Sequence, residues 1–160
     1  MVISDNQVDQ IARAIHERYL AEQMRNGVSL GSTPAMTSWD TLDENKREAN
    51  RAQARDIEEK LAKIGCRVGR GLVTRKFAFA AQELETLARD EQVRWTAQRK
   101  AAGWAYGTRR DDVAKVHPCL VSWDELAETE RDKDRDAVRN IPAVLAAAGL
   151  RVIRRRSARP

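Results

Sequence analysis

Apolar residues along the chain recur at the three- and four-residue spacing of amphipathic helices. The first stripe is formed by Val8, Ile11, Ala12, Ile15, Tyr19 and Leu20. The second is formed by Phe77, Ala80, Ala81, Leu84, Leu87, Ala88 and Trp95. Each stripe stops at a glycine, Gly27 or Gly103, a residue that commonly ends helices in the left-handed conformation. The pattern therefore predicts one long helix from about Asn6 to Arg25 and another that ends before Gly103.

A second helix is predicted after the loop that follows each of the first two. These helices end at Gly65 and Gly149, which again supply a left-handed cap. Pro142 lies inside the last of them, and because proline lacks a backbone N–H we expect a break near Asn140. Two short, partly β-branched segments follow the glycines and are expected to pair as small strands, Cys66–Val68 and Leu150–Ile153.

The two helix pairs carry a repeated sequence. Ser38-Trp39-Asp40 recurs as Ser122-Trp123-Asp124, and this offset of 84 residues persists to the end of each second helix. In the first helices the offset is 76, so that Tyr19 matches Trp95. Because the offset rises from 76 to 84, the second copy has eight more residues between its helices, within segment 104–118. Self-similarity at two fixed offsets indicates a tandem duplication.

This organisation predicts a mainly α fold, in which two tandem helix–loop–helix repeats with short β-strands are related by a pseudo-two-fold axis. Residues 1–68 would form the first repeat, 69–76 a hinge, 77–153 the second repeat and 154–160 an Arg-rich tail. Neither helix pair can bury its apolar stripe well alone, so we expect the two repeats to form one compact unit.

The positive charge of the chain is concentrated at one end. The net charge is +5, from 29 Lys and Arg against 24 Asp and Glu, and five arginines lie in the last ten residues. Without those ten residues, 24 basic residues face 24 acidic ones. A surface that binds a nucleic acid duplex instead concentrates Lys and Arg on one face. Nucleic acid is therefore not expected as a partner, although the tail alone could contact it.

The sequence contains no evident membrane, secretion or catalytic motif. No segment has the length and apolar character of a membrane helix, and no signal-peptide pattern is present, so we expect a cytoplasmic protein that does not bind membranes. Catalysis needs a nucleophile beside a base, paired carboxylates or a metal cluster. The two histidines, His16 and His117, are isolated in the sequence. We expect no enzymatic activity, no cofactor and no metal.

Several motifs of the second copy carry a resemblance to a known family. The segments Gly103–Gly107, Lys115–Leu120 and Trp123–Leu126 closely resemble the ryanodine receptor repeat, or RyR domain. The copy from about Ala80 to Arg154 follows the pattern nearly end to end, whereas the first copy resembles a degenerate member that keeps Trp39 but lacks the loop motifs. In the receptor these units form tandem pairs, as peripheral modules of a channel. The resemblance implies a non-enzymatic module, and stand-alone prokaryotic or phage-type members look like ligand sensors in nucleotide-linked signalling.

Candidate binding chemistry is concentrated around the extra residues of the second copy. Aromatic faces and cationic donors together suit a base stacked on a ring, with its phosphates held by Arg or Lys. We predict that a small anionic, nucleotide-like ligand is bound by Trp95, Trp104, Tyr106, Arg109, Arg110, Lys115, His117 and Trp123. Taken singly, each of these tryptophans is more typical of a core, and His117-Pro118 of a turn. The alternative function is protein interaction or assembly, as a homo-oligomer or with a partner chain.

Overall fold

The computed structural model describes residues 3–72 and 75–155, and the fold is mainly α, as predicted. The helices are α1 (Asp5–Arg25), α2 (Glu44–Ala62), α3 (Ala81–Ala101), α4 (Glu128–Arg139) and α5 (Ile141–Ala146). The strands are β1 (Cys66–Arg70), β2 (Ala105–Tyr106), β3 (Val116–His117) and β4 (Leu150–Arg154). Two short 3₁₀ helices, Trp39–Thr41 and Trp123–Glu125, precede α2 and α4.

The helix ends follow the signals in the sequence. Gly27 and Gly103 have φ angles of 83° and 88°, the left-handed conformation that terminates α1 and α3. The predicted break near Asn140 is confirmed, because α4 ends at Arg139 and α5 begins one residue after Asn140. Pro142 then stands in the first turn of α5, where its missing N–H leaves no hydrogen bond unmade.

The chain forms two compact units. The split unit consists of Met1–Phe77 together with Ile141–Pro160, and the central unit consists of Ala78–Asn140. The last helix and strand of the predicted second repeat thus belong to the split unit. Strand β1 extends over residues 69 and 70, the first two of the predicted hinge. Residues 73 and 74 of that hinge, and residues 156–160 of the predicted tail, lie outside the described residues.

The split unit is built on α1, which packs against α2 and α5. Strands β1 and β4 pair with each other, as predicted, and the pairing is antiparallel, with Val68 opposite Val152. These two valines are themselves related by the offset of 84. One face of the two-stranded sheet is buried, and the largest fully buried side chains of the unit are Ile11, Met36, Leu61, Cys66, Val68, Leu145 and Leu150.

The central unit is built on α3, which packs against α4 and the second 3₁₀ helix. Trp123, Leu126 and Ala88 form a buried cluster, with Cys119 and Val121 packed against its side. Ser122 closes a capping box with Glu125, whose carboxylate accepts the Ser122 N–H at 3.2 Å and its hydroxyl at 2.8 Å. This box fixes the turn that carries Trp123 into the core.

Equivalent residues of the two copies make equivalent polar contacts. His16 Nε2 donates to the Thr37 carbonyl at 2.7 Å, and Gln92 Nε2 donates to the Val121 carbonyl at 2.9 Å. Residues 16 and 92 are related by the offset of 76, and residues 37 and 121 by the offset of 84. In each unit the side chain of the first helix therefore holds the loop just before the 3₁₀ helix.

An arginine in the second helix of each unit binds a matching set of carboxylates. Arg51 contacts Asp9, Glu44 and Glu48. Arg135 contacts Glu85, Glu128 and Asp132. Every member of one set corresponds to a member of the other at an offset of 76 or 84. That the two copies superpose, with Trp39 on Trp123, remains a prediction.

Candidate functional site

The long loop of the central unit, residues 104–118, is held by hydrogen bonds of its own. Strand β2 runs parallel to β3, with Ala105 opposite Val116. Asp111 closes a turn, because its Oδ1 accepts the N–H groups of Val113 at 3.0 Å and Ala114 at 2.9 Å. Gly107 lies so close to Val116 that a Cβ would collide with the valine side chain. The loop that was predicted to bind ligand is thus an ordered structure with a required glycine.

Three aromatic side chains meet where this loop packs on α3. The ring centroids of Trp95 and His117 are 5.0 Å apart in an edge-to-face arrangement, and those of Trp104 and His117 are 6.2 Å apart. All three residues are half-buried. Trp104 is positioned by its backbone N–H, which donates to the backbone carbonyl of Arg99 at 3.0 Å, at the end of α3. The structure therefore brings together three of the predicted ligand-binding residues, and we call them with Arg99 the aromatic cluster.

The Arg99 guanidinium lies against both tryptophans of this cluster. Its Cζ atom is 5.1 Å from the Trp104 ring centroid and 5.7 Å from that of Trp95. Within the part of the chain that the structure describes, its side chain makes no hydrogen bond or ion pair. Burial lowers the pKa of Arg99, and the nearby positive charge of Arg110 lowers it further. Arg99 is a cation held by aromatic faces, and its side-chain N–H donors bond to none of the described residues.

His117 is held in one orientation by the turn that follows it. Its Nδ1 atom accepts the Cys119 N–H at 3.0 Å, so in the neutral ring the proton resides on Nε2. Burial lowers the pKa of His117, and the charges of Arg110 and Arg99 lower it further. A second proton would have to bind Nδ1 and displace the Cys119 N–H. His117 is therefore a neutral donor at physiological pH.

We expect this arrangement to make stability depend on pH. Because the folded pKa of His117 lies below the unfolded value of about 6.5, its contribution is complete above that pH and is lost as the pH falls through the folded pKa. Melting followed by circular dichroism should show a lower Tm at pH 5 than at pH 7.5. His117→Asn keeps an acceptor for the Cys119 N–H but cannot titrate, so the drop should shrink. An equal drop in both proteins would contradict this account.

The other cations predicted to bind ligand have varied surroundings. Arg110 is exposed and bonds to Asp112, with Nε 2.7 Å from Oδ1. The Lys115 Nζ donates to the Ala102 carbonyl at 2.9 Å and so caps the C-terminal end of α3, where a cation is favourable. Lys115 does this from a left-handed backbone conformation, with φ of 54°. Arg109 is exposed on the same loop.

Tyr106 and Trp123 mark the two extremes of burial among the predicted residues. Tyr106 is 58% exposed on β2. Trp123 is only 7% exposed and packs in the core with Leu126 and Ala88, outside the aromatic cluster. Trp123 is therefore a core residue. Three guanidinium groups lie over its ring, with Cζ atoms 5.3–5.7 Å from the ring centroid; they belong to Arg89, Arg131 and Arg135.

Arg99 is the residue that sequence reasoning missed. It follows Trp95 by four residues, so that a helix places both on one face, and this spacing was the available signal. In the first copy the corresponding residues are Tyr19 and Gln23, related by the offset of 76. The cationic centre of the cluster therefore has no counterpart in the first copy.

Comparison with known protein families relates most of the second copy to one described family. The sequence model of the RyR domain matches residues 80–154, which include α3, the long loop, the second 3₁₀ helix, α4, α5 and β4. None of the helices in the described ranges is long and apolar enough to cross a membrane.

Proposed function

Residues 80–154 belong to the RyR domain family, and from this premise we propose that the chain is a non-enzymatic binding module for a small anionic ligand with an aromatic ring. A nucleotide or nucleotide-derived signal has both properties, and such a ligand suits a sensor in the cytoplasm. The observation that carries the proposal is the state of Arg99: a half-buried guanidinium, stacked on two tryptophans, whose donors bond to none of the described residues.

An unpaired, half-buried cation is costly unless something compensates for its lost hydration. The two Trp faces offset part of that cost, at about 0.5–2 kcal/mol for each cation–π contact. They leave the edge of the guanidinium open, and this edge fits a phosphate or carboxylate with two parallel hydrogen bonds. An anion at Arg99 would accept the hydrogen bonds that the described residues do not accept from its side chain.

The surroundings of Arg99 suit a phosphate better than a neutral ligand. Burial lowers the pKa of Arg99, and among the nearby charges Arg110 and Arg94 lower it further while Asp112 raises it. The Nε2–H of His117 offers a neutral donor beside the same tryptophans. The exposed ring of Tyr106 on the adjoining strand offers a face on which a base could stack. Charge for the phosphate and an aromatic face for the base therefore occur on one loop.

We expect one ligand per chain, bound by the second copy. The first copy has Gln23 where the second has Arg99, and it lacks the eight additional loop residues. Titration calorimetry with AMP, ADP, ATP and a cyclic dinucleotide should therefore give a stoichiometry close to one for any nucleotide that binds.

The decisive variant is Arg99→Gln. Losing hydrogen bonds to a charged group costs about 1.5–3 kcal/mol, so the affinity for the best nucleotide should fall by at least about tenfold. Arg25→Gln is the matched control, because it removes one exposed positive charge at the end of α1 and should leave the affinity unchanged. Adenosine, which lacks a phosphate, should bind equally weakly to wild type and Arg99→Gln. If no nucleotide binds wild type, or if Arg99→Gln binds as tightly as wild type does, the proposal fails.

Protein interaction is the second candidate function, and exposed apolar residues favour it. In the central unit, Val93, Tyr106 and Val113 are 68%, 58% and 97% exposed. Sedimentation at increasing concentration tests the homo-oligomeric form of this candidate. If Val93→Ser or Val113→Ser dissociates an observed oligomer while nucleotide binding is absent, assembly is the function.

A further inference from the structure

Ion pairing is unevenly distributed over the chain. The arginines and lysines of α2 and α4 pair with acids, for example Arg55 and Arg139, and so does Arg13 of α1. Around the β1–β4 sheet the pattern is different. Throughout residues 3–72 and 75–155, no ion pair involves Arg67, Arg70, Arg75, Lys76, Arg151 or Arg155.

Three of these arginines lie on one face of the sheet. Side chains alternate between the two faces of a strand. Cys66, Val68 and Leu150 point into the core, and the register pairs Gly69 with Arg151 and Arg67 with Ile153. Arg67, Arg151 and Arg155 therefore share the outward face. The Arg155 N–H donates to the Gly65 carbonyl at 2.9 Å, which extends the ladder by one residue beyond β4. We call Arg67, Arg151 and Arg155 the sheet arginines.

Arg151 is half-buried and lacks a bond that its surroundings require. Its Nε atom is shielded from solvent and has no hydrogen-bond partner. A buried donor of this kind costs about 1–3 kcal/mol when it is left unsatisfied. Arg151 as a whole is only half-buried and forms no ion pair among the described residues, so it contributes an uncompensated positive charge to the outward face.

We propose that this outward face binds the phosphate backbone of a nucleic acid duplex, independently of the nucleotide site in the central unit. At about 3.3 Å per residue, Arg151 and Arg155 are about 13 Å apart along the strand. The major groove of B-DNA is about 12 Å wide and admits a two-stranded β-ribbon, so both arginines can reach phosphates at its edges. Ile153 is the only large apolar residue on this face, too little to insert into a lipid bilayer.

The net charge of the chain outside its last ten residues does not indicate this basic surface. Outside the last ten residues, acidic and basic residues balance, and that balance argued against nucleic acid. In the structure many of these acidic residues form ion pairs with arginines of the helices. Arg51 and Arg135 alone contact six of them, three each. Acids that bind helix arginines do not neutralise the sheet.

Fluorescence anisotropy with a labelled 20-base-pair DNA duplex, at several salt concentrations, tests the proposal. The triple variant Arg67→Gln, Arg151→Gln, Arg155→Gln should bind at least tenfold more weakly than wild type. The slope of log affinity against log salt should decrease by up to about 2.7, at about 0.9 per phosphate contact. The single variant Arg155→Gln, whose ladder bond uses only the backbone, should decrease it by about 0.9 while preserving the Tm.

The matched control is the triple variant Arg13→Gln, Arg55→Gln, Arg139→Gln. It removes the same charge from helix side chains that are 49–51% exposed and paired with acids, and it should keep the wild-type slope. Both triple variants retain residues 156–160, so the tail cannot explain a difference between them. Arg99→Gln should bind the duplex normally, which separates this surface from the nucleotide site. Absent duplex binding, equal losses in both triples, or preference for phosphatidylserine vesicles over the duplex would overturn the proposal.

Discussion

Replacing Trp123 by alanine is expected to lower the free energy of unfolding by about 3–5 kcal/mol, the usual range for a buried aromatic ring. The ring is 7% exposed and is packed with Leu126 and Ala88, so its removal leaves a cavity in the central unit. It also leaves the guanidinium groups of Arg131 and Arg135 without the aromatic face that they cover. Urea denaturation followed by far-UV circular dichroism measures the loss.

The matched variant is Trp39→Ala at the corresponding position of the first copy. Trp39 also lies under two guanidinium groups, but its side chain is only half-buried. The repeat alone predicts equal losses for the two tryptophans, whereas burial predicts a clearly smaller loss for Trp39. Equal losses would show that the exposure of the ring does not control its contribution. A Trp123→Ala midpoint within error of wild type would contradict the core assignment.

Gln92→Leu should destabilise the protein by about 2–4 kcal/mol, because each carbonyl left without a donor costs about 1–3 kcal/mol. The Gln92 side chain is 4% exposed. Its Nε2 donates to the carbonyls of Cys119 and Val121, both at 2.9 Å. Leucine fills a similar volume but donates nothing, so the loop before Trp123 loses both of its anchors. The urea midpoint of the variant measures this cost.

Exchange variants distinguish the hydrogen bonds from simple packing. His16 makes the corresponding bond in the first copy, so Gln92→His should recover much of the stability that Gln92→Leu loses. His16→Gln should be close to wild type, whereas His16→Leu should not, since it removes the donor to the Thr37 carbonyl. If Gln92→His is as unstable as Gln92→Leu, the two residues are not interchangeable.

Most of the secondary structure could be predicted from local sequence signals. Helices α1 and α3, their stops at Gly27 and Gly103, and the break at Asn140 each depend on neighbouring residues, and the structure has them. The predicted start of the second stripe was wrong: α3 begins at Ala81, because Ala80 is the N-cap residue whose N–H donates to the Glu83 carboxylate, and Phe77 and Ala80 lie outside the helix. The pairing of β1 with β4 could be predicted from the sequence, because the repeat has two similar segments after two similar helices. The extent of β1 was harder to predict, because Gly69 favours a hinge in isolation and joins the strand only when β4 pairs with it.

The candidate site was predictable in its aromatic part but not in its charged centre. Trp95, Trp104 and His117 attract notice because aromatics are rare in this chain. Arg99 is one arginine among many in a long helix of mixed charge, and only the ring distances single it out. The burial of Trp123 likewise depends on how α3 packs against the second 3₁₀ helix, which no local pattern encodes.

The pairing of β1 with β4 has a consequence for how the protein is made. Translation completes residues 66–70 long before residues 150–154, and the whole of Ala78–Asn140 is synthesised between them. During that interval β1 has no partner strand, and Cys66 and Val68 lack the residues that later lie opposite them, Arg154 and Val152. Closing so long a loop is slow, but it becomes easier once the intervening residues have folded into a body of their own. Nascent chains stalled before Leu150 should therefore protect residues 78–140 from protease while α1 and α2 are still cleaved.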